Sequence, residues 1–305
     1  MAEHRASMKI GAIFPQTEFG NDVAAIRDYT QTAEELGFSH ILAYDHVLGV
    51  APTADNIRRN GYEGRWQGPY THEHPFHELF VLFAYMAALT SRLEFVSGVL
   101  VLPQRQAALV AKQAAELDVL SGGRLRLGVG VGWNKAEMAA LGMDPENRGR
   151  REDEQLEVML ALWTQPVVNF KGRYHQLPGV GILPMPVQRP IPLWFGGHAD
   201  EVIDRIARFG SGWLPGFREA GPAQERLTRL DAALASVGRK RAEIGIEARV
   251  SFGDGRPDTW ARILEGWRAE GATHASVNTM GLGFRSPAEH ISALRVFAGE
   301  ILNGH

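Results

Sequence analysis

The chain of 305 residues contains no cysteine. That absence removes disulfides, thiolate metal sites and cysteine nucleophiles together, and it fits a reducing, cytoplasmic setting. No apolar run approaches the about 20 residues a membrane-spanning helix needs. The first eight residues, Met1 to Met8, carry neither an apolar signal core nor an amphipathic targeting helix, so no membrane contact is expected. Charge of a single sign is lacking too: 32 Lys and Arg face 35 Asp and Glu, a formal net charge of −3. The signs are interspersed, and Arg148, Arg150 and Arg151 form the densest basic group. A nucleic-acid face would need a larger basic cluster, so none is expected. An apolar share of 45% and a charged share of 22% then describe a globular chain long enough to bury a full core.

Glycine is plentiful, at 34 residues, and its placement is informative. The stretch RQAALVAKQAAELDVLSGGRLRLGVGVGW, from Arg105 to Trp133, reads as helix, turn, buried strand and glycine-rich exit. Ala107, Val110, Ala111, Ala114, Leu117 and Leu120 recur at helical spacing until Ser121-Gly122-Gly123 ends the helix. Leu125, Leu127, Val129 and Val131 then alternate along a strand with Gly128, Gly130 and Gly132 between or after them. Two readings remain open at these glycines. The missing side chains let a planar ligand or an anion lie against the main chain, or they relieve crowding near the axis of a closed barrel.

Strand-like and helix-like segments alternate through the chain, which predicts a parallel sheet covered by helices. Strands are expected over 9–14, 39–44, 93–101, 124–131, 191–196, 212–215, 244–250 and 274–277. Helices are expected over 23–36, 76–90, 107–120, 151–163, 201–209, 223–237, 258–270 and 287–302, the last opened by a capping box of Ser286 and Glu289. Eight such units predict an α/β fold of the (β/α)₈ TIM-barrel type, a single domain over 1–305. An open doubly wound sheet would want a glycine fingerprint after its first strand, where this chain has Pro15-Gln16-Thr17. Two segments exceed ordinary connections: 47–75 after the second strand, and 166–190 before the fifth. The first lies on the side of a barrel where active sites form.

Several groups of residues invite chemistry. Asp45-His46 ends the second strand, where a polar pair faces the mouth of such a barrel; the imidazole exchanges protons near neutrality and the carboxylate orients a neighbour or simply caps the loop. Gly98, after Ser97, interrupts a branched strand and marks a bulge or close approach. Trp194-Phe195-Gly196-Gly197-His198-Ala199-Asp200 leads a glycine pair into a helix whose first amides suit a phosphate, or it is an ordinary turn. His72, His74 and His77 have spacing that permits a metal, though Pro75 interrupts them and two of the three lie in a loop; lining the mouth or capping the helix expected at Phe76 is the preferred role, and no metal is assigned. The run from Arg148 to Glu154 is either a solvated face or a contact for an acidic ligand tail.

LDVLSGGRLRLGVGVGW, together with SGVLVLPQR before it, resembles the luciferase-like monooxygenase superfamily, within it the deazaflavin-dependent branch. Gly212-Trp213-Leu214-Pro215-Gly216 resembles the family as well. The resemblance implies an oxidoreductase that transfers a hydride between coenzyme F420 and an organic substrate. Asp45 and His46 would then contact the cofactor, with His46 catalytic. A bulge near Ser97 and Gly98, often with a non-proline cis peptide, would support the middle ring, Val131 and Gly132 would pack close by, and Gly196, Gly197 and His198 would take the phosphate. Val50 and Trp133 stand where the sugar-phosphate dehydrogenases of the branch carry Trp and Glu, which argues against that activity. FMN with oxygen is the alternative, with reduced flavin from a partner reductase. A metal-dependent hydrolase using His46 with His72, His74 or His77, and a non-catalytic flavin-binding protein, are the remaining readings. A small-molecule substrate and a homodimer complete the expectation.

Overall fold

The structure, a computed structural model, describes residues 8–303. The expectation of no targeting helix at the N-terminus falls mostly on residues 1–7, outside those described. Eight parallel strands close a barrel: β1 (Lys9–Ile13), β2 (His40–Ala43), β3 (Glu94–Ser97, resumed at Leu100–Val101), β4 (Leu125–Gly130), β5 (Leu193–Gly196), β6 (Gly212–Leu214), β7 (Gly245–Ser251) and β8 (His274–Asn278). Each pairs with its successor, and β8 pairs with β1. The eight covering helices are α1 (Val23–Glu35), α2 (Leu79–Ala88), α3 (Ala107–Ser121), α4 (Arg148–Thr164), α5 (Asp200–Phe209), α6 (Gln224–Ser236), α7 (Pro257–Ala269) and α8 (Pro287–Ile301). No helix among the described residues is long and apolar enough to cross a membrane.

The local chemistry explains most boundaries. Asp22 caps α1 by accepting from the amides of Ala24 and Ala25, and α3 stops at Gly122, whose φ of 69° is the left-handed turn expected there. One expected start and one expected cap are corrected. Helix α2 begins at Leu79 rather than Phe76, because the Glu78 carboxylate accepts from the Val81 amide and fixes the cap. At α8, Glu289 accepts from the Arg285 amide and from the Ser286 hydroxyl, so Ser286 donates instead of capping. The peptide between Gly98 and Val99 is cis and breaks β3 where the resemblance placed a bulge.

The barrel interior is filled in layers, as closure demands. The lowest layer is charged. Glu247 receives Arg126 Nη1 at 2.9 Å and the Ser276 hydroxyl at 2.5 Å, and lies 3.0 Å from His40 Nε2. Arg126 reaches Glu94 at 2.9 Å and lies over the Trp194 ring at 4.6 Å. Trp194 fits because Gly212 and Gly245 lack side chains: a Cβ there would stand 2.2 and 2.4 Å from its ring. Above this layer Ile13, Leu42, Val96 and Leu214 form an apolar cluster with Trp194, distinct from the larger core between sheet and helices.

The glycines of β4 belong to the next level. A Cβ on Gly128 would lie 2.0 Å from the Ser97 carbonyl oxygen, and Cβ atoms on Gly130 and Gly196 would lie 2.8 and 2.6 Å from the methyls of Val99. Crowding relief is therefore the role of Gly128 and Gly130. The two long segments carry structure that periodicity did not show: a short helix at Ala54–Arg59, and an antiparallel hairpin of Val168–Lys171 with Gln176–Val180. The hairpin turn is held by Glu154 of α4, which accepts from the amides of Arg173, Tyr174 and His175 at 2.7, 2.8 and 2.6 Å.

Gly128→Ala is expected to destabilise the fold by about 1–3 kcal/mol or more, as overpacking a rigid backbone contact does, read as a lower urea midpoint. The charged layer sets a pH dependence. Burial, with Arg126 and His40 near it, pushes the His274 imidazole from 6.5 down to about 3. Burial would raise Glu247, but His40 and Arg126 outweigh it and hold the carboxyl below its usual range. Both folded pKa values are depressed, so the unfolded chain binds protons first, and stability present above about 6.5 falls as the pH drops towards 3. Urea midpoints between pH 7 and 4 are expected to trace this fall, with a flatter slope in His274→Gln.

Candidate functional site

A cavity of about 560 Å³ opens at the carboxyl ends of the strands, above the apolar layer. Tyr44, Gly98, Arg249 and Asn278 line it where β2, β3, β7 and β8 end. His46, Tyr70, Phe76 and Trp133 form an aromatic wall, with Glu18 and Met280 also lining it. The volume and the aromatic lining with a few polar groups are those of a small-molecule site.

His46 is the best-organised group in the cavity. Its Nδ1 lies 2.9 Å from Glu137 Oε2 and 2.7 Å from the Tyr70 hydroxyl, which itself reaches Glu137 at 3.1 Å. The Asn134 amide donates to that hydroxyl at 2.8 Å. Glu137 Oε1 accepts from the amides of Val47 and Leu48 at 2.6 and 3.1 Å and from Gln104 at 3.3 Å. Burial would raise the Glu137 carboxyl, but the His46 contact and those two amides lower it below its usual value. Burial and Glu137 push the Tyr70 phenol well above its ordinary range, so it stays a neutral hydroxyl. An ionised Glu137 accepts only, which assigns the proton of Nδ1 to the ring. Nε2 is left without a protein partner among the described residues.

Asp45 lines the cavity beside it, but both of its oxygens are engaged. Oδ1 receives Arg105 Nη2 at 2.6 Å and Oδ2 the Val101 amide at 2.9 Å. Burial raises the Asp45 carboxyl, opposed by Arg105 and the Val101 amide. Asp45 thus ties the end of β2 to the chain just past the cis peptide and positions both. Tyr70 was legible from the sequence only as one of the long-loop aromatics, with Tyr62, Trp66 and Tyr174, that suggest an apolar or planar substrate. Glu137, Asn134 and Arg105 were not singled out. The one available signal was Asn134 with Glu137 three residues on, the pattern that caps the short helix Lys135–Ala140, where the Asn134 side chain accepts from the Glu137 amide.

The other expected site residues divide. Gly98 and Gly132 line the cavity, the latter with φ of 71°. Ser97 and Val131 do not, and the Ser97 hydroxyl donates to the Gly128 carbonyl at 2.8 Å. Gly196, Gly197 and His198 lie outside the cavity lining, with Val99 packed against Gly196. Gly197 has φ of 110°, its carbonyl accepts from Trp213 Nε1 at 2.7 Å, and the helix that follows opens with Asp200 and Glu201. His77 bonds the Gly20 carbonyl and His74 the Thr71 hydroxyl, and no group of three or more metal ligands occurs among the described residues. In the run from Arg148, Arg151 is buried against the Pro103 carbonyl, while Glu152 and Asp153 pair with Arg205. None of these lines the cavity.

The luciferase-like monooxygenase family profile matches residues 6–291 of this barrel. The chain belongs to that family, whose members are oxidoreductases and monooxygenases. This luciferase-like chain is 36% identical over 227 residues to an uncharacterized protein of Mycobacterium tuberculosis, covering 72% of itself and 75% of that protein. It is 28% identical over 194 residues to the FMNH(2)-dependent dimethylsulfone monooxygenase of Pseudomonas putida, covering 62% of itself and 53% of the relative. The coenzyme F420 dependent tetrahydromethanopterin reductase from Methanopyrus kandleri shares the luciferase-like fold, with a TM-score of 0.72 at 16% identity over 98% of this chain and 99% of that one.

Replacing the buried acceptor that serves His46 and two loop amides tests the network. Glu137→Gln is expected to lower stability by about 1–3 kcal/mol, measured by urea denaturation, because charge-assisted bonds become weaker neutral ones.

Proposed function

We propose that the protein transfers a hydride between coenzyme F420 and an organic substrate, with His46 as the group that moves the accompanying proton. The observation that carries this reading is the cavity-facing His46, held by Glu137 and Tyr70 through Nδ1 with Nε2 unpartnered. Reduction of a carbonyl or imine by hydride needs one proton, and the reverse oxidation releases one, so an oriented imidazole suits either direction. Bound F420 would give the hydride in its reduced form or take it in its oxidised form; the protein supplies orientation and electrostatics.

The residues lining the cavity fit the ring of such a group. The cavity of about 560 Å³ has aromatic walls suited to a flat ring, and the main chain at Gly98 and Gly132 borders it. Those two segments and His46 are the proposed ring contacts. The amides after Gly197 are the proposed phosphate contacts, beside a first turn that carries Asp200 and Glu201. FMN with oxygen is the second reading, favoured by the FMNH(2)-dependent relative; it requires reduced flavin from a partner reductase.

Titration of the protein with F420 and with FMN, followed by cofactor fluorescence, separates the two. F420 is expected to bind in preference, more weakly in Gly197→Asp. Preferential FMN binding overturns the deazaflavin reading. Once a substrate is in hand, His46→Asn is expected to lower kcat by about 10²–10⁴, the usual scale of a lost proton-transfer group.

A further inference from the structure

We propose that the substrate is an organic acid whose carboxylate is bound by Arg249 at the floor of the cavity, so that its other end is presented towards His46. The inference rests on the reading of this cavity as the reaction site, and it adds the chemical class of what enters.

Arg249 alternates along β7 with Glu247, so both side chains point into the barrel, one level apart. Glu247 is fully engaged in the charged layer below, by Arg126, His40 and Ser276. Arg249 stands above the apolar cluster and lines the cavity, its guanidinium over the Tyr44 ring at 5.3 Å. Among the described residues that guanidinium makes no hydrogen bond and pairs with no carboxylate. Neither of the two carboxylates that also line the cavity pairs with Arg249, although Glu18 Oε2 is buried without a hydrogen-bond partner. Asp45 holds Arg105, and Glu18 accepts from the Gly281 amide at 2.8 Å and lies 3.6 Å from His290.

A half-buried cation with only an aromatic face beside it is incompletely satisfied. A planar guanidinium is matched best by a two-oxygen anion such as a carboxylate, bound side by side. Asn278, at the end of neighbouring β8, accepts from the Met280 amide through Oδ1, which leaves its Nδ2 as a second donor on the same floor. The Tyr44 ring flattens the approach and favours an acid with an apolar or aromatic body. The wall of Tyr70, Phe76 and Trp133 beside His46 suits the same body. The cavity thus has a cationic floor, an apolar middle and a proton-transfer group on the wall.

The test uses the whole chain without added cofactor, titrated with 2-naphthoate and with its neutral counterpart 2-naphthamide, following ligand fluorescence. Naphthoate is expected to bind about tenfold or more tightly than the amide, a margin lost in Arg249→Met and partly kept in Arg249→Lys. Thermal midpoints of both variants check that the fold is retained. Equal binding of the two ligands by the unmodified protein, or a margin that survives in Arg249→Met, overturns the proposal. So does a loss confined to F420 or FMN affinity in Arg249→Met, which assigns the guanidinium to cofactor charge. If neither cofactor binds the unmodified protein, the deazaflavin and flavin readings fall, while the ratio of naphthoate to naphthamide still decides the role of Arg249.

Discussion

The Glu247 carboxylate is the tie on which the barrel depends. It joins β7 to β4 through Arg126, to β2 through His40 and to β8 through Ser276, four strands brought together by one buried group. Removing water from such a charge is costly, and the arrangement is stable because every oxygen has partners of matching chemistry. The same layer fixes what surrounds it. Gly11 exists as glycine because a Cβ would stand 2.2 Å from the His40 ring, and Gly212 and Gly245 yield their space to Trp194.

Filling the lower barrel this way leaves the upper end to function. Ile13, Leu42, Val96 and Leu214 seal the charged layer off, and the strands above them end in groups too small or too polar to close the mouth. A second buried carboxylate organises the wall of the cavity. Glu137 comes from a loop helix, yet it gathers His46, Tyr70, Gln104 and two backbone amides. The cavity therefore sits between two buried carboxylates: one closes the scaffold, the other orients His46.

The fold was largely legible because barrel strands and covering helices announce themselves by period and by glycine stops. All eight strands and all eight helices lie within a few residues of where hydrophobic pattern placed them. What escaped was set by contacts between distant segments. The hairpin over 168–180 is held by Glu154 on α4, about 20 residues earlier, and no local signal in its own residues states that. His46 was legible as a polar residue at a strand end, but its partners were not, since Tyr70 and Glu137 are brought to it by loops 24 and 91 residues away. Ser97 was read as a ligand contact from its place beside the bulge, while its hydroxyl serves the neighbouring strand. The glycine run of β4 fitted two physical readings, and only the position of Val99 and the Ser97 carbonyl separates them.

The shared use of Glu137 has a consequence for how this barrel can be altered. The excursion that begins at Val47 and the imidazole at its root hang from one acceptor, and the excursion contributes Tyr70 to the same cluster. Exchanging that segment for a relative's, in nature or at the bench, replaces part of the hydrogen-bonded cluster around His46 along with the wall of the cavity. Cavity wall and imidazole orientation are inherited as one module here, and a graft keeps both only if the recipient also carries Asn134 and Glu137.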